Sequence, residues 1–144
     1  DKRFQAAGIT NYRKAVIDLS DPHWRANTSF QPPASGFDLV IADVPCSASG
    51  VTRRHPDIKW TRRASDIARF AARQQSIIDA LWRLLAAGGK FLYVTCSVFR
   101  EENQEQVERF LARHADARLL ESHVLLPNKH QDGFYYALMQ KGAP

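Results

Sequence analysis

Apolar side chains between residues 65 and 85 recur at three- and four-residue steps: Ile67, Phe70, Ala71, Ile77, Ile78, Leu81, Leu84 and Leu85, with Gln74 on the same stripe. That period predicts an amphipathic helix of about six turns. Ser65 is the expected N-cap, Asp66 falls in the first turn, and Gly88-Gly89 is the expected stop. Two continuous apolar runs flank the helix, residues 37–42 before it and 90–95 after it. Runs that are β-rich and unbroken, rather than alternating, predict parallel strands covered on both faces. Each is followed closely by a cysteine, in Asp43-Val44-Pro45-Cys46-Ser47 and in Thr95-Cys96-Ser97.

The weaker patterns fill in the rest. Residues 2–7 read as the end of a helix stopped by Gly8, and residues 12–17 as a short strand ending at Asp18. Residues 20–36 hold Pro22, Pro32, Pro33 and Gly36 and read as a loop. Residues 44–63 form a second long loop, broken by Pro45, Gly50 and Pro56. Glu101 and Glu102 favour a helix start, after which Val107, Phe110, Leu111 and Ala115 line one face and Glu105 can pair with Arg109. Residues 118–120 and 124–126 are weak strand candidates; a polar turn over 127–133 then leads into a final strand at 134–139. Strand, helix, strand, helix, strand predicts one three-layer α/β domain.

Composition narrows this picture. A chain of 144 residues can bury a real core. No apolar run approaches the roughly 18 residues of a membrane span. The chain opens on Asp1 without a signal-peptide pattern, as a fragment would. Neither cysteine has a second Cys or His two to four residues away, which argues against a metal site. Two cysteines make no disulfide framework, so free thiols in a reducing, cytoplasmic compartment are expected. The net charge is +5, and residues 51–75 account for all of it, with seven Lys/Arg against Asp57 and Asp66. A basic stretch beside a candidate site suits a polyanion such as nucleic acid; a solvated surface is the plainer alternative.

Two constellations can carry chemistry. Asp43 at a strand end can bind an amine or a base edge, and Pro45 fixes the backbone that places Cys46 in the cleft. Cys96 lies just ahead of a predicted helix start near Arg100, where a thiol becomes more acidic and a better nucleophile. Either cysteine could equally be a small buried thiol. A redox pair needs sulfurs within bridging reach, and no Cys-x-x-Cys occurs. A Cys-His dyad would need His23, His55, His114, His123 or His130, none in a recognisable context.

Taken together, Asp43-Val-Pro-Cys46-Ser47, Arg53-Arg54-His55-Pro56-Asp57-Ile58-Lys59-Trp60, Tyr93-Val-Thr-Cys96-Ser97, Glu101-Glu102-Asn103 and Asp132-Gly133-Phe134-Tyr135 resemble successive motifs of the RNA (cytosine-5) methyltransferases. The His-Pro-Asp-Ile-Lys-Trp run narrows the resemblance to the bacterial ribosomal small-subunit RNA methyltransferase B (Sun/Fmu) group. Val44 stands where the family often has Ala, and Ala48-Ser49 replaces a common Gly-Thr.

The resemblance implies a partial, three-layer Rossmann-like class I methyltransferase fold that takes S-adenosylmethionine and methylates carbon 5 of a cytosine in small-subunit ribosomal RNA. It implies Cys96 as the nucleophile that adds to carbon 6, with Cys46 assisting loss of the carbon 5 proton. Asp43 would hold the cytosine or the cofactor, and Asp18 the cofactor's adenine. Arg53, Arg54, Lys59, Arg62 and Arg63 would meet RNA phosphates, and Trp60 could stack on a base or pack internally.

The family's glycine-rich cofactor loop and the acid after its second strand are absent; Gly88-Gly89 is the chain's only Gly-Gly. The family's N-terminal RNA-binding domain is absent too. The chain therefore reads as the carboxyl-terminal part of the catalytic domain, inactive alone. An RNA-binding module without catalysis is the alternative. In the usual strand order 3-2-1-4-5-7-6, the first two strands are missing. The 37–42 strand would then be a bare edge, either pairing with a second copy or leaving residues 1–30 away from their usual place. Residues 13–17 paired directly beside it would contradict that.

Overall fold

The computed structural model describes residues 2–19, 21 and 23–142. Ser20 and Pro22, within the first predicted loop, lie outside them. The elements are α1 (Lys2–Ala6), β1 (Phe37–Asp43), α2 (Ile58–Thr61), α3 (Ala64–Trp82), β2 (Leu85–Thr95), α4 (Gln104–Arg113), β3 (Ala117–Leu125) and β4 (Phe134–Lys141), with short 3-10 turns at Trp24–Asn27, Ser49–Val51 and Arg100–Glu102.

The four strands form one sheet in the order β1-β2-β4-β3. β1 and β2 are parallel, which needs a crossover, and α3 supplies it. The β2–β4 and β4–β3 pairs are antiparallel. This is the 4-5-7-6 end of the expected strand order, and the α/β methyltransferase fold class holds.

Both long helices pack on one face of the sheet. Ile78 and Trp82 of α3 and Val107 and Phe110 of α4 share a core with Phe91, Tyr93, Tyr135, Ala137 and Met139. Trp82 meets Phe110 and Phe91 edge-on, at ring-centroid distances of 5.1 and 5.7 Å. Each such fully buried side chain is worth about 1.5–3 kcal/mol against exposure. The opposite face carries no helix among the described residues, so they supply two of the fold's three layers.

Several sequence expectations are corrected. β1 is not covered on both faces: Leu39 and Ile41 are 53% and 62% exposed, because they point away from the helices. Residues 12–17 are not a strand. They join no ladder; Ala15, Ile17 and Leu19 instead help line a cleft with Leu39, Val40 and Leu84. β1 is thus a free edge of the sheet, and the pairing that would have contradicted that expectation is not seen. The loop over residues 44–63 contains the one-turn helix α2.

Helix α3 begins at Ala64, before Ser65, and its first turn is closed by Asp66, which accepts the Arg63 N–H at 2.9 Å. That bond, helped by Arg69, holds the Asp66 carboxyl below its usual range. The helix ends at Trp82, well before Gly88-Gly89. Lys141 donates to the Trp82 and Leu85 carbonyls at 3.1 and 3.0 Å and so satisfies the chain end of the helix. Gly88, at φ +76°, turns the backbone where β2 is out of step with β1 between Phe37 and Leu39. The two weak strand candidates are one strand, β3, irregular between Leu119 and Glu121. Ala115 is exposed rather than on the α4 core face. The Glu105–Arg109 pair is present at 3.5 Å.

Candidate active site

Parallel pairing of β1 and β2 puts Asp43 opposite Val94, so both strands release their chains at the same end of the sheet. The Val44 N–H continues the ladder to the Val94 carbonyl at 3.2 Å. The Gly50 N–H donates to the Cys96 carbonyl at 2.9 Å, and the Gly133 N–H to the Gly50 carbonyl at 2.8 Å. Three loops are therefore tied backbone to backbone. A Cβ on Gly50 would collide with the Gly133 carbonyl and press on that of Cys96, so this crossing requires glycine. Ala48 sits in the left-handed region at φ 61° and ψ 23°, at a position where the resemblance showed a common Gly. An L-residue there carries a cost of about 1–2 kcal/mol.

The tying brings the Cys46 and Cys96 sulfurs to 3.4 Å, both half-buried and both free thiols. Their proton affinities diverge. The hydrogen bond to Cys96 and burial push Cys46 well above the usual thiol range. The same hydrogen bond brings Cys96 down to about 7, against opposing burial and the Asp43 charge. The more buried Cys46 thus keeps its proton, and Cys96 is the sulfur that ionises, about half of it at pH 7.

Beneath the thiols lies a polar lattice of buried residues. Glu102 accepts the Ser47 N–H at 2.8 Å and the Ser97 hydroxyl at 2.5 Å. Gln74 donates to Glu102 at 3.2 Å and to the Pro45 carbonyl at 3.0 Å. Asn103 accepts the Thr95 hydroxyl at 2.6 Å and donates to the Ser97 carbonyl at 2.9 Å. The Tyr93 hydroxyl donates to the Glu102 carbonyl at 2.6 Å; burial and then the Glu102 charge raise its pKa and keep it neutral. No described side-chain polar atom that is buried lacks a partner. Sequence reasoning assigned no role to this lattice. Its signals were Gln74, a polar residue on an otherwise apolar helical stripe, and the place of Ser47, Tyr93, Ser97, Glu102 and Asn103 in the motifs of the resemblance.

Asp43 is exposed and lines a cavity of about 330 Å³ with Asp18, Ile17, Ile41, Pro45, Arg73, Ile77 and Leu81. The two acids expected at a cofactor site therefore meet, although the segment before Asp18 is not a strand. Carboxylates beside apolar walls suit a group that combines an amine, ribose hydroxyls, a sulfonium and a flat base. Gly88-Gly89 lies near the opposite end of β2 and takes no part.

The basic residues divide. Arg53 and Arg54 both pair with Asp132, at 3.3 Å for Arg53, while remaining more than half exposed. Arg62 donates to the Ser47 carbonyl at 2.9 Å and lies over the Phe70 ring. Lys59 and Arg63 are exposed, and Trp60 is 88% exposed and does not pack into the core of this chain. Among the described residues no cluster of three potential metal ligands occurs, and no helix is long and apolar enough to cross a membrane.

The family model described as 16S rRNA methyltransferase RsmB/F matches residues 4–140. The chain belongs to that family. Ribosomal RNA small subunit methyltransferase B of Erwinia tasmaniensis is 54% identical, over 73% of this chain and 26% of the relative. The Vibrio cholerae protein of the same name is 50% identical, with the same coverage. This RsmB/F chain thus spans about a quarter of the length of these relatives. Among solved structures, PH0851 superposes with a TM-score of 0.85 at 27% identity, covering 97% of this chain and 33% of that one. NSun6 from Pyrococcus horikoshii with SFG gives 0.79 at 23% identity, covering 99% and 38%.

Proposed function

We propose that this chain is the carboxyl-terminal part of a catalytic domain that methylates carbon 5 of a cytosine in small-subunit ribosomal RNA, in the cytoplasm. The relatives' names point to ribosomal RNA. The observation that carries the cytosine-5 reading is the pair of free cysteines, with sulfurs 3.4 Å apart at the ends of two parallel strands.

Carbon 5 of cytosine is a weak nucleophile. A thiolate adding to carbon 6 makes the ring enamine-like and carbon 5 nucleophilic. Cys96, whose pKa of about 7 leaves much of it ionised at neutral pH, is suited to that attack. S-adenosylmethionine, when bound, supplies an electrophilic methyl group on a sulfonium. Loss of the carbon 5 proton then expels Cys96 as thiolate and restores the ring. Cys46, in contact with Cys96, would give its own proton to water once Cys96 is bonded to carbon 6 and would then accept the carbon 5 proton in that elimination. Asp43 and Asp18 would hold the cofactor, and Asp43 is also near enough to the thiols to meet the cytosine edge. Arg53, Arg54, Lys59, Arg62 and Arg63 would contact phosphates, giving salt-dependent affinity without sequence choice. Exposed Trp60 would stack on a base. The basic loop alone would serve an RNA-binding module; the paired thiols favour catalysis.

The test is covalent trapping. RNA with 5-fluorocytosine at the target should become attached to the full-length protein in the presence of S-adenosylmethionine, and Cys96→Ala should abolish the adduct. An adduct that persists in Cys96→Ala, carried by Cys46, would reverse the assignment.

A further inference from the structure

Glu102 has no exposed surface, and no Lys, Arg or His among the described residues pairs with it. A lone buried carboxylate is an expensive thing to fold unless donors surround it. Here the donors have a particular origin. One carboxylate oxygen takes the Ser47 N–H, from the residue after Cys46. The other takes the Ser97 hydroxyl, from the residue after Cys96. Gln74 reaches from α3 to the first oxygen and to the carbonyl of Pro45, the residue before Cys46. The serine hydroxyls also meet each other at 3.1 Å. Neighbouring Asn103 holds the carbonyl of Ser97. One carboxylate thus bridges the two loops that carry the thiols.

We propose that Glu102 is a positioning residue that holds Cys46 and Cys96 in register, so that one sulfur can attack while the other serves the elimination. This rests on the cytosine-5 reading of the thiols. The Ser47 N–H can only donate and needs one acceptor oxygen, while the Ser97 hydroxyl makes a charge-assisted bond to the other. Glu102→Gln keeps the shape but removes the charge and forces the Ser97 hydroxyl to turn from donor to acceptor, which weakens that side of the bridge. Glu102 itself touches neither sulfur in a hydrogen bond, and its effect passes through Ser47 and Ser97.

The experiment compares the full-length protein with its Glu102→Gln variant, after thermal denaturation has shown the variant folded. Dibromobimane, which bridges neighbouring thiols, reads the register without RNA or cofactor; kcat and KM for RNA read its consequence. Cross-linking of Cys46 to Cys96 should slow about tenfold, and kcat should fall on the order of 100-fold with KM little changed. Wild-type cross-linking in the folded variant would overturn the proposal. So would slowed cross-linking with unchanged kcat. A wild-type protein that methylates no cytosine would sink the proposed function alone, since cross-linking would still decide the bridge. If Glu102→Gln does not fold, Ser97→Ala removes the hydroxyl that meets Glu102, Ser47 and Ser49 and should slow both readouts in the same direction; no change there would overturn the proposal.

Discussion

The loop after β1 and the loop after β2 leave neighbouring strands at the same end of the sheet. Each places a cysteine, then a buried serine, over the same carboxylate. They differ in length and depth. Cys96 follows β2 immediately, whereas Val44 and Pro45 carry Cys46 further in before the chain turns at Ala48. Two like thiols in contact cannot both keep their ordinary proton affinity. The deeper one keeps the proton and the shallower one gives it up. Near-symmetric scaffolding thus yields an asymmetric pair, with the contact between the sulfurs as the largest cause of both shifts.

The largest break in the comparison is to remove the shallow sulfur. Cys96→Ala should lower methyl transfer by about 10⁴-fold or more, as loss of a covalent nucleophile does. Steady-state methylation of target RNA by the full-length protein measures this. Removing the deep sulfur should do something different. Cys46→Ala should lose about 10²–10⁴ in turnover, the range of a proton-transfer group, and should accumulate the covalent adduct on ordinary RNA. Denaturing gels would show that adduct. If both variants behaved alike, the division of labour between the loops would fail.

The strands that carry these loops were legible because unbroken apolar runs at 37–42 and 90–95 end in polar residues. Both α3 and α4 were legible from their period. What failed had long-range causes. Residues 12–17 look β-like, but a strand needs a ladder partner; instead Ala15 and Ile17 line a cleft while Val16 is exposed. Gly88-Gly89 resembles a helix stop, yet α3 ends at Trp82 with Lys141, from the last strand, bonded to its carbonyls. Along β3, Glu121, Ser122 and His123 interrupt the apolar pattern because that strand is a largely exposed edge. In the site, motif spacing identified the cysteines and Asp43. Glu102 read as an acid favouring a helix start and as part of the Glu101-Glu102-Asn103 motif; only the fold shows it buried beneath both loops.

A smaller break acts on the backbone between the loops. Gly50→Ala forces a Cβ against the carbonyls of Gly133 and Cys96, neither of which can swing aside like a side chain. Destabilisation of about 1–3 kcal/mol is expected, as for overpacking elsewhere. A urea midpoint shifted at unchanged slope would register it. A neutral Gly50→Ala would mean that the loops are not held together at this crossing.

The finest test reads the ionisation of Cys96 itself. Alkylation by iodoacetamide follows the thiolate, so in the wild type the Cys96 rate should rise with pH through about 7 and then level off. In Cys46→Ala the hydrogen bond that lowers the Cys96 pKa is gone. Burial and the Asp43 charge remain, both raising it, so the midpoint should move up to at least the ordinary thiol value of 9.0. Thiolate at pH 7 would then drop from about half to about one per cent, a roughly 50-fold loss by the two-unit shift. A more basic thiolate is also intrinsically more nucleophilic, by about tenfold for two units. The net fall in rate at pH 7 is therefore only about fivefold, and a single-pH assay would undervalue the change. The pH profile separates the two effects, because the variant should be slower below about pH 8 and faster above about pH 9. A midpoint that stayed near 7 without Cys46 would show that Cys96 owes its acidity to the strand end alone, and the asymmetry between the loops would need another source.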